Sequence, residues 1–82
     1  MQQFVMIAVK ATREIEVISE SDQYMQLRSV AVDYYDVWRD LHRRDLAASG
    51  VSFMVLESKN LQKLKEDRRF NKDVILYQVG SF

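Results

Sequence analysis

The chain has 82 residues, with 12 Lys and Arg balanced by 12 Asp and Glu, one His and no Cys. This length predicts a single compact domain over residues 1–82. The lack of Cys excludes disulfides, thiolate metal sites and a cysteine nucleophile, and the two glycines exclude the glycine-rich loops that hold phosphates.

The remaining composition excludes further classes of function. With His42 as the only histidine, the sequence offers one imidazole base and excludes a zinc site of two or three histidines. No apolar run approaches the ~20 residues of a membrane-spanning helix, so we expect a cytoplasmic protein without a membrane partner. We also expect no catalytic residues, no metal site and no cofactor, and therefore a protein that is not an enzyme.

The first predicted strand covers residues 4–9, a short apolar run rich in β-branched side chains. Alternation over 14–17 predicts that this strand extends into a hairpin arm. Residues 23–32 leave two alternatives, because Val30 and Val32 favour a strand while other side chains recur at helical spacing. Those side chains are Tyr24, Leu27, Ala31, Tyr34 and Trp38. The β-branched content favours the strand.

The first helix is predicted over residues 34–48, with Asp33 as its N-terminal cap. Its apolar side chains recur at helical spacing and are expected to face the core: Tyr34, Val37, Trp38, Leu41 and Ala48. Gly50 follows at the position where a left-handed residue commonly ends a helix.

A strand over 51–56, a helix over 59–69 and a strand over 74–79 complete the pattern β-β-α-β-α-β. We expect an α+β fold, a two-layer sandwich in which both helices cover one face of a four-stranded mixed sheet. The strands predicted over 51–56 and 74–79, with the helix between them, fit a right-handed crossover that makes the two strands parallel.

The strands predicted over 51–56 and 74–79 are apolar at consecutive positions, so both of their faces require burial. Two helices on one face leave the other face of the sheet open. We therefore expect a second copy of the chain to cover it, which makes a homodimer the predicted assembly.

The first helix also carries the predicted protein-binding surface. Tyr35 points about a quarter-turn away from the apolar stripe, which leaves two alternatives: exposure, since exposed Tyr is enriched at interfaces, or partial burial. Arg39, His42 and Arg43 follow it along the same helix. These residues predict a small regulatory protein, inhibitor or adaptor that acts by binding another protein.

Binding of RNA or DNA is the alternative. Residues 37–82 hold nine basic and six acidic side chains, for a net charge of +3, whereas residues 1–36 hold three and six, for −3. The basic side chains expected to contact phosphates lie on and beside the second helix: Lys59, Lys63, Arg68, Arg69 and Lys72. Tyr24 and Tyr77 are the candidates for stacking on bases.

Overall fold

The computed structural model describes residues 2–42, 50–67 and 72–80, without the side chains of His42 and Lys72. Four strands and two helices follow in the order β-β-α-β-α-β, which confirms the predicted α+β class and element order. They are β1 (Phe4–Lys10), β2 (Ile15–Ser21), α1 (Tyr24–His42), β3 (Val51–Glu57), α2 (Leu61–Glu66) and β4 (Ile75–Val79). Short 3-10 turns occupy Ser58–Asn60 and Lys72–Val74.

The strands form one sheet in the order β2-β1-β3-β4, and each neighbouring pair is antiparallel. The prediction of a mixed sheet with a parallel crossover is therefore wrong. Leu56 pairs with Ile75, which places the start of β4 beside the end of β3. The six residues of α2 rise only ~9 Å, which suits a connection that turns back at the same end of a strand ~23 Å long.

A tight hairpin joins β1 to β2. The Arg13 N–H donates to the Lys10 carbonyl at 2.8 Å, and the Lys10 N–H donates to the Glu14 carbonyl at 3.0 Å. Arg13 adopts a left-handed conformation, with a φ of 71°, which reverses the chain within the turn. The hairpin arm predicted from the alternation over 14–17 is the start of a full seven-residue strand.

One continuous helix, α1, occupies the residues that the sequence pattern divides between a strand and a shorter helix. The predicted strand over 23–32 is wrong, and Asp33 lies inside the helix instead of capping it. The helical alternative prevails because Leu27 and Ala31, one turn apart, are both buried against the sheet.

The two helices lie on opposite faces of the sheet. Successive side chains of β1 point to opposite faces and divide between two buried clusters. Met6 and Ala8 pack with Leu27 and Ala31 of α1. The other cluster combines the alternate residues of β1 with α2 and β3: Val5, Ile7, Val9, Met54, Leu56 and Leu64. The expectation of both helices on one face is therefore wrong, and α2 adds a third layer.

This arrangement explains why β3 is apolar at consecutive positions. Residues 51–56 are all buried within the single chain. Phe53 and Val55 belong to the cluster under α1, while Met54 and Leu56 belong to the cluster under α2. Strand β3 thus needs no second copy to cover it. Strand β4, for which burial of both faces was also expected, lies at the edge of the sheet with Leu76 45% exposed, and the homodimer stays a prediction.

Candidate protein-binding surface

Helix α1 carries a second apolar stripe beside the one that packs on the sheet. Tyr34, Val37 and Leu41 are exposed by 47%, 59% and 74%. Val30 continues the line towards the start of the helix, where it is half-buried and also packs against the cluster under α1. Successive members are four, three and four residues apart, so they share one side of the helix. We call these four residues the α1 ridge.

Sequence periodicity predicts that Tyr34, Val37 and Leu41 face the core, and this prediction is wrong. The α1 side chains that pack on the sheet follow a neighbouring line: Leu27, Ala31, Tyr35 and Trp38. Spacings of three and four describe both lines equally well, so only the packing of the helix on the sheet separates them.

An apolar hollow of about 260 Å³ opens beside the ridge, lined among the described residues by Asp33, Tyr34 and Val37. The Tyr34 ring packs against the buried Phe53, with ring centroids 6.0 Å apart and planes tilted by 55°. A ring held in this way loses little conformational freedom when a partner covers its open side. The hollow therefore offers a fixed aromatic wall and an aliphatic wall, and the surface that it presents is apolar.

The carboxylates of α1 differ in their position relative to the ridge. Asp36 pairs with Arg39 at 3.3 Å on the side of the helix that faces away from the ridge. Asp33 and Asp40 are exposed and lie ~70–90° around the helix from the centre of the ridge, so they line its outer edge, whereas Asp36 lies ~130° from that centre. Neither forms an ion pair with any residue in the part of the chain that the structure describes.

Of the residues predicted to contact a partner, Tyr35 and Arg39 lie away from the ridge. Tyr35 is half-buried and packs against the cluster under α1, which is the second of the two alternatives for this residue. The guanidinium of Arg39 lies 5.7 Å from the centre of the Tyr35 ring. The side chain of His42 and the whole of Arg43 lie outside the described residues.

The residues predicted to bind nucleic acid are described only in part. Lys59 pairs with Glu57, with 3.1 Å between its Nζ and a carboxylate oxygen. Lys63 is exposed on α2. Arg68, Arg69 and the side chain of Lys72 lie outside the described residues.

The two tyrosines considered for base stacking already have partners within the fold. The guanidinium of Arg28 lies 4.5 Å from the centre of the Tyr77 ring and 5.9 Å from that of Tyr24. The Tyr24 ring also packs against Phe4, and its hydroxyl donates to the Leu76 carbonyl at 3.1 Å. Both rings are half-buried, so neither presents a free stacking face like those of single-strand binding proteins.

The described part of the chain, residues 2–42, 50–67 and 72–80, has neither a cluster of metal ligands nor a membrane-crossing helix. In these ranges no group of three or more His, Cys, Asp or Glu side chains is placed to hold a metal ion. The described helices include none that combines the length and the apolar character needed to cross a membrane.

Comparisons with protein-family models, curated proteins and solved structures find no match to this chain.

Proposed function

We propose that this chain acts without catalysis, as a small regulatory or adaptor protein that binds another protein through the α1 ridge. The observation that carries the proposal is the line of exposed apolar side chains Tyr34, Val37 and Leu41 on one side of α1. Single exposed apolar residues are ordinary on protein surfaces, whereas a contiguous apolar patch is typical of an interaction site.

The ridge is large enough to contribute useful binding energy. Full burial of a Val or Leu side chain contributes ~1.5–3 kcal/mol. Because 59% of Val37 and 74% of Leu41 remain exposed, a partner that covers both gains ~2–4 kcal/mol from them. Tyr34 adds an aromatic anchor, the residue type that often dominates interface energetics.

The edges of the sheet are less suited to a partner than the ridge. Strand β2 carries the exposed Glu16 and Glu20 and a register shift against β1, and both features discourage the addition of another strand. Strand β4 has only five residues, and the Tyr24 hydroxyl already occupies the Leu76 carbonyl there.

Nucleic-acid binding through α2 is the second candidate, supported by the exposed Lys63 and Lys65. Titration of labelled RNA and DNA at low and moderate salt tests it, because phosphate contacts give a strong salt dependence. The absence of salt-sensitive binding at micromolar protein contradicts this candidate.

Site-specific photo-crosslinking tests the proposal in cells that contain the chain naturally. We expect a benzoylphenylalanine that replaces Val37 to give a discrete adduct with one partner protein, because this side chain lies within the ridge. The matched control replaces Val32, an exposed valine ~140° around the same helix. It should give no such adduct.

The mass of the adduct also tests the predicted homodimer, since an adduct of twice the chain mass identifies a second copy as the partner. The proposal is contradicted if position 37 gives no adduct, or if positions 32 and 37 give the same adducts. Circular dichroism of both purified variants confirms that the helix is retained.

A further inference from the structure

We infer that the partner of the α1 ridge is an amphipathic helix that carries Lys or Arg beside its apolar stripe. This inference rests on the proposed function and adds the chemistry of the partner. The ridge residues Val30, Tyr34, Val37 and Leu41 repeat at the four-three-four spacing of a helix–helix seam. Side chains at this spacing form the holes that receive the side chains of a second helix.

The negative charges beside the ridge favour a partner with positive charges. Asp33 and Asp40 are seven residues apart and lie on the same edge of the ridge, where both are exposed. The opposite edge is formed by Ala31 and Trp38, which pack on the sheet of the chain itself. Only the acidic edge is open, so a helix laid on the ridge presents its own flanking charges to Asp33 and Asp40.

A cationic flank fits this edge better than an anionic one. Lys and Arg place aliphatic stems along apolar surface while their charged ends remain in water. The apolar hollow beside Tyr34 and Val37 fits such a stem, and the exposed Asp33 at its rim lies beside the charged end. Opposite charges at the edges of a helix–helix seam set the choice of partner and its orientation.

The same charges disfavour a second copy that packs antiparallel on this surface. If two α1 helices pack antiparallel, with Tyr34 of each against Val37 of the other, Asp33 of each lies across from Asp40 of the other. The pairing repeats this contact on both sides of the two-fold axis and places like charges together. A different protein with a basic flank avoids the repulsion.

Two synthetic peptides test the inference against the full chain. Both form a helix with leucines at heptad spacing, and they carry either lysine or glutamate at the positions beside the leucines. By isothermal titration calorimetry we expect the lysine peptide to bind about fivefold more tightly, or better. The difference should shrink at about 1 M salt, where charges are screened beyond ~3 Å.

Reversing the charge of both edge carboxylates tests whether they set the preference for the lysine peptide. Asp33→Lys combined with Asp40→Lys should invert the preference, so that the glutamate peptide binds more tightly. Glu20→Lys combined with Glu66→Lys changes the net charge equally at exposed positions on β2 and α2, away from the ridge. This control should keep the preference of the unmodified chain.

Further outcomes separate the inference from the proposed function. If Val37→Ser weakens both peptides equally and the two peptides bind with the same affinity, the inference fails while the ridge remains a binding surface. If Val37→Ser leaves binding unchanged relative to Val32→Ser, the proposed function fails as well. Binding of neither peptide, or a dimer that Val37→Ser dissociates, also overturns the inference.

Discussion

Replacing Leu64 by Ala tests whether α2 covers the second face of the sheet. The Leu64 side chain is 1% exposed and joins Ile7, Met54 and Leu56 in the cluster on that face. Leu→Ala substitutions in a core cost about 2–5 kcal/mol, because the transfer free energy is lost and a cavity remains. A chain of this length has a free energy of unfolding of ~4–12 kcal/mol, so the loss is a large fraction of the total.

We expect a loss of about 3 kcal/mol in urea denaturation, followed by circular dichroism and Trp38 fluorescence. At ~4–8 °C per kcal/mol, the melting temperature should fall by ~12–24 °C. The matched control is Leu76→Ala, since Leu76 is 45% exposed and should cost less than about 1 kcal/mol. If Leu64→Ala costs no more than Leu76→Ala, then α2 does not pack on the sheet and the three-layer arrangement is refuted.

Two further substitutions examine local contacts. Tyr24→Phe removes the hydroxyl that donates to the Leu76 carbonyl but keeps the ring, so urea denaturation should show a loss of about 0.5–1.5 kcal/mol. An unchanged unfolding midpoint would mean that this hydrogen bond does not contribute. Gly80→Ala should lower the melting temperature more than Tyr24→Phe does. Gly80 has a φ of 107°, and an added Cβ would lie 2.6 Å from the Val51 carbonyl oxygen. A melting temperature equal to that of the unmodified chain would refute the strain.

The order of elements could be predicted because most of them have a clear hydrophobic period. The error over residues 23–32 arose where two periods overlap. Val30 and Val32 have high β propensity, but propensity is a weak guide when tertiary packing opposes it. The burial of Leu27 and Ala31 against the sheet decides the matter, and a local pattern contains no information about that contact.

The rotation of α1 could not be predicted for a related reason. Its apolar residues form two neighbouring lines, and the sequence interpretation placed the line with Val37 and Leu41 inside. The structure places Tyr35 inside and leaves Val37 and Leu41 in solvent. Periodicity shows that one side of a helix is apolar. When that side is wide, the packing on the sheet determines which part of it is buried.

The elements that cover the two faces of the sheet could not be predicted from the sequence either. Apolar residues at consecutive positions correctly indicated that β3 is buried on both faces. They did not indicate what covers those faces, and a short helix such as α2 carries little signal of its own. Isolated helices below ~12–15 residues are marginal, so α2 depends on the packing of Leu64 more than on its own propensity.

The geometry of α1 separates the contribution of this helix to the fold from its proposed role in binding. Leu27 and Ala31 attach it to the sheet, whereas Val37 and Leu41 contribute little to that attachment because most of their surface remains in water. Substitutions on the ridge should therefore change binding with little change in stability. A folded protein keeps an exposed apolar stripe at some risk of aggregation, and a partner that covers the stripe removes that risk. The stability of the fold does not explain an exposed apolar stripe with an acidic edge. The proposed role in binding a partner does explain it.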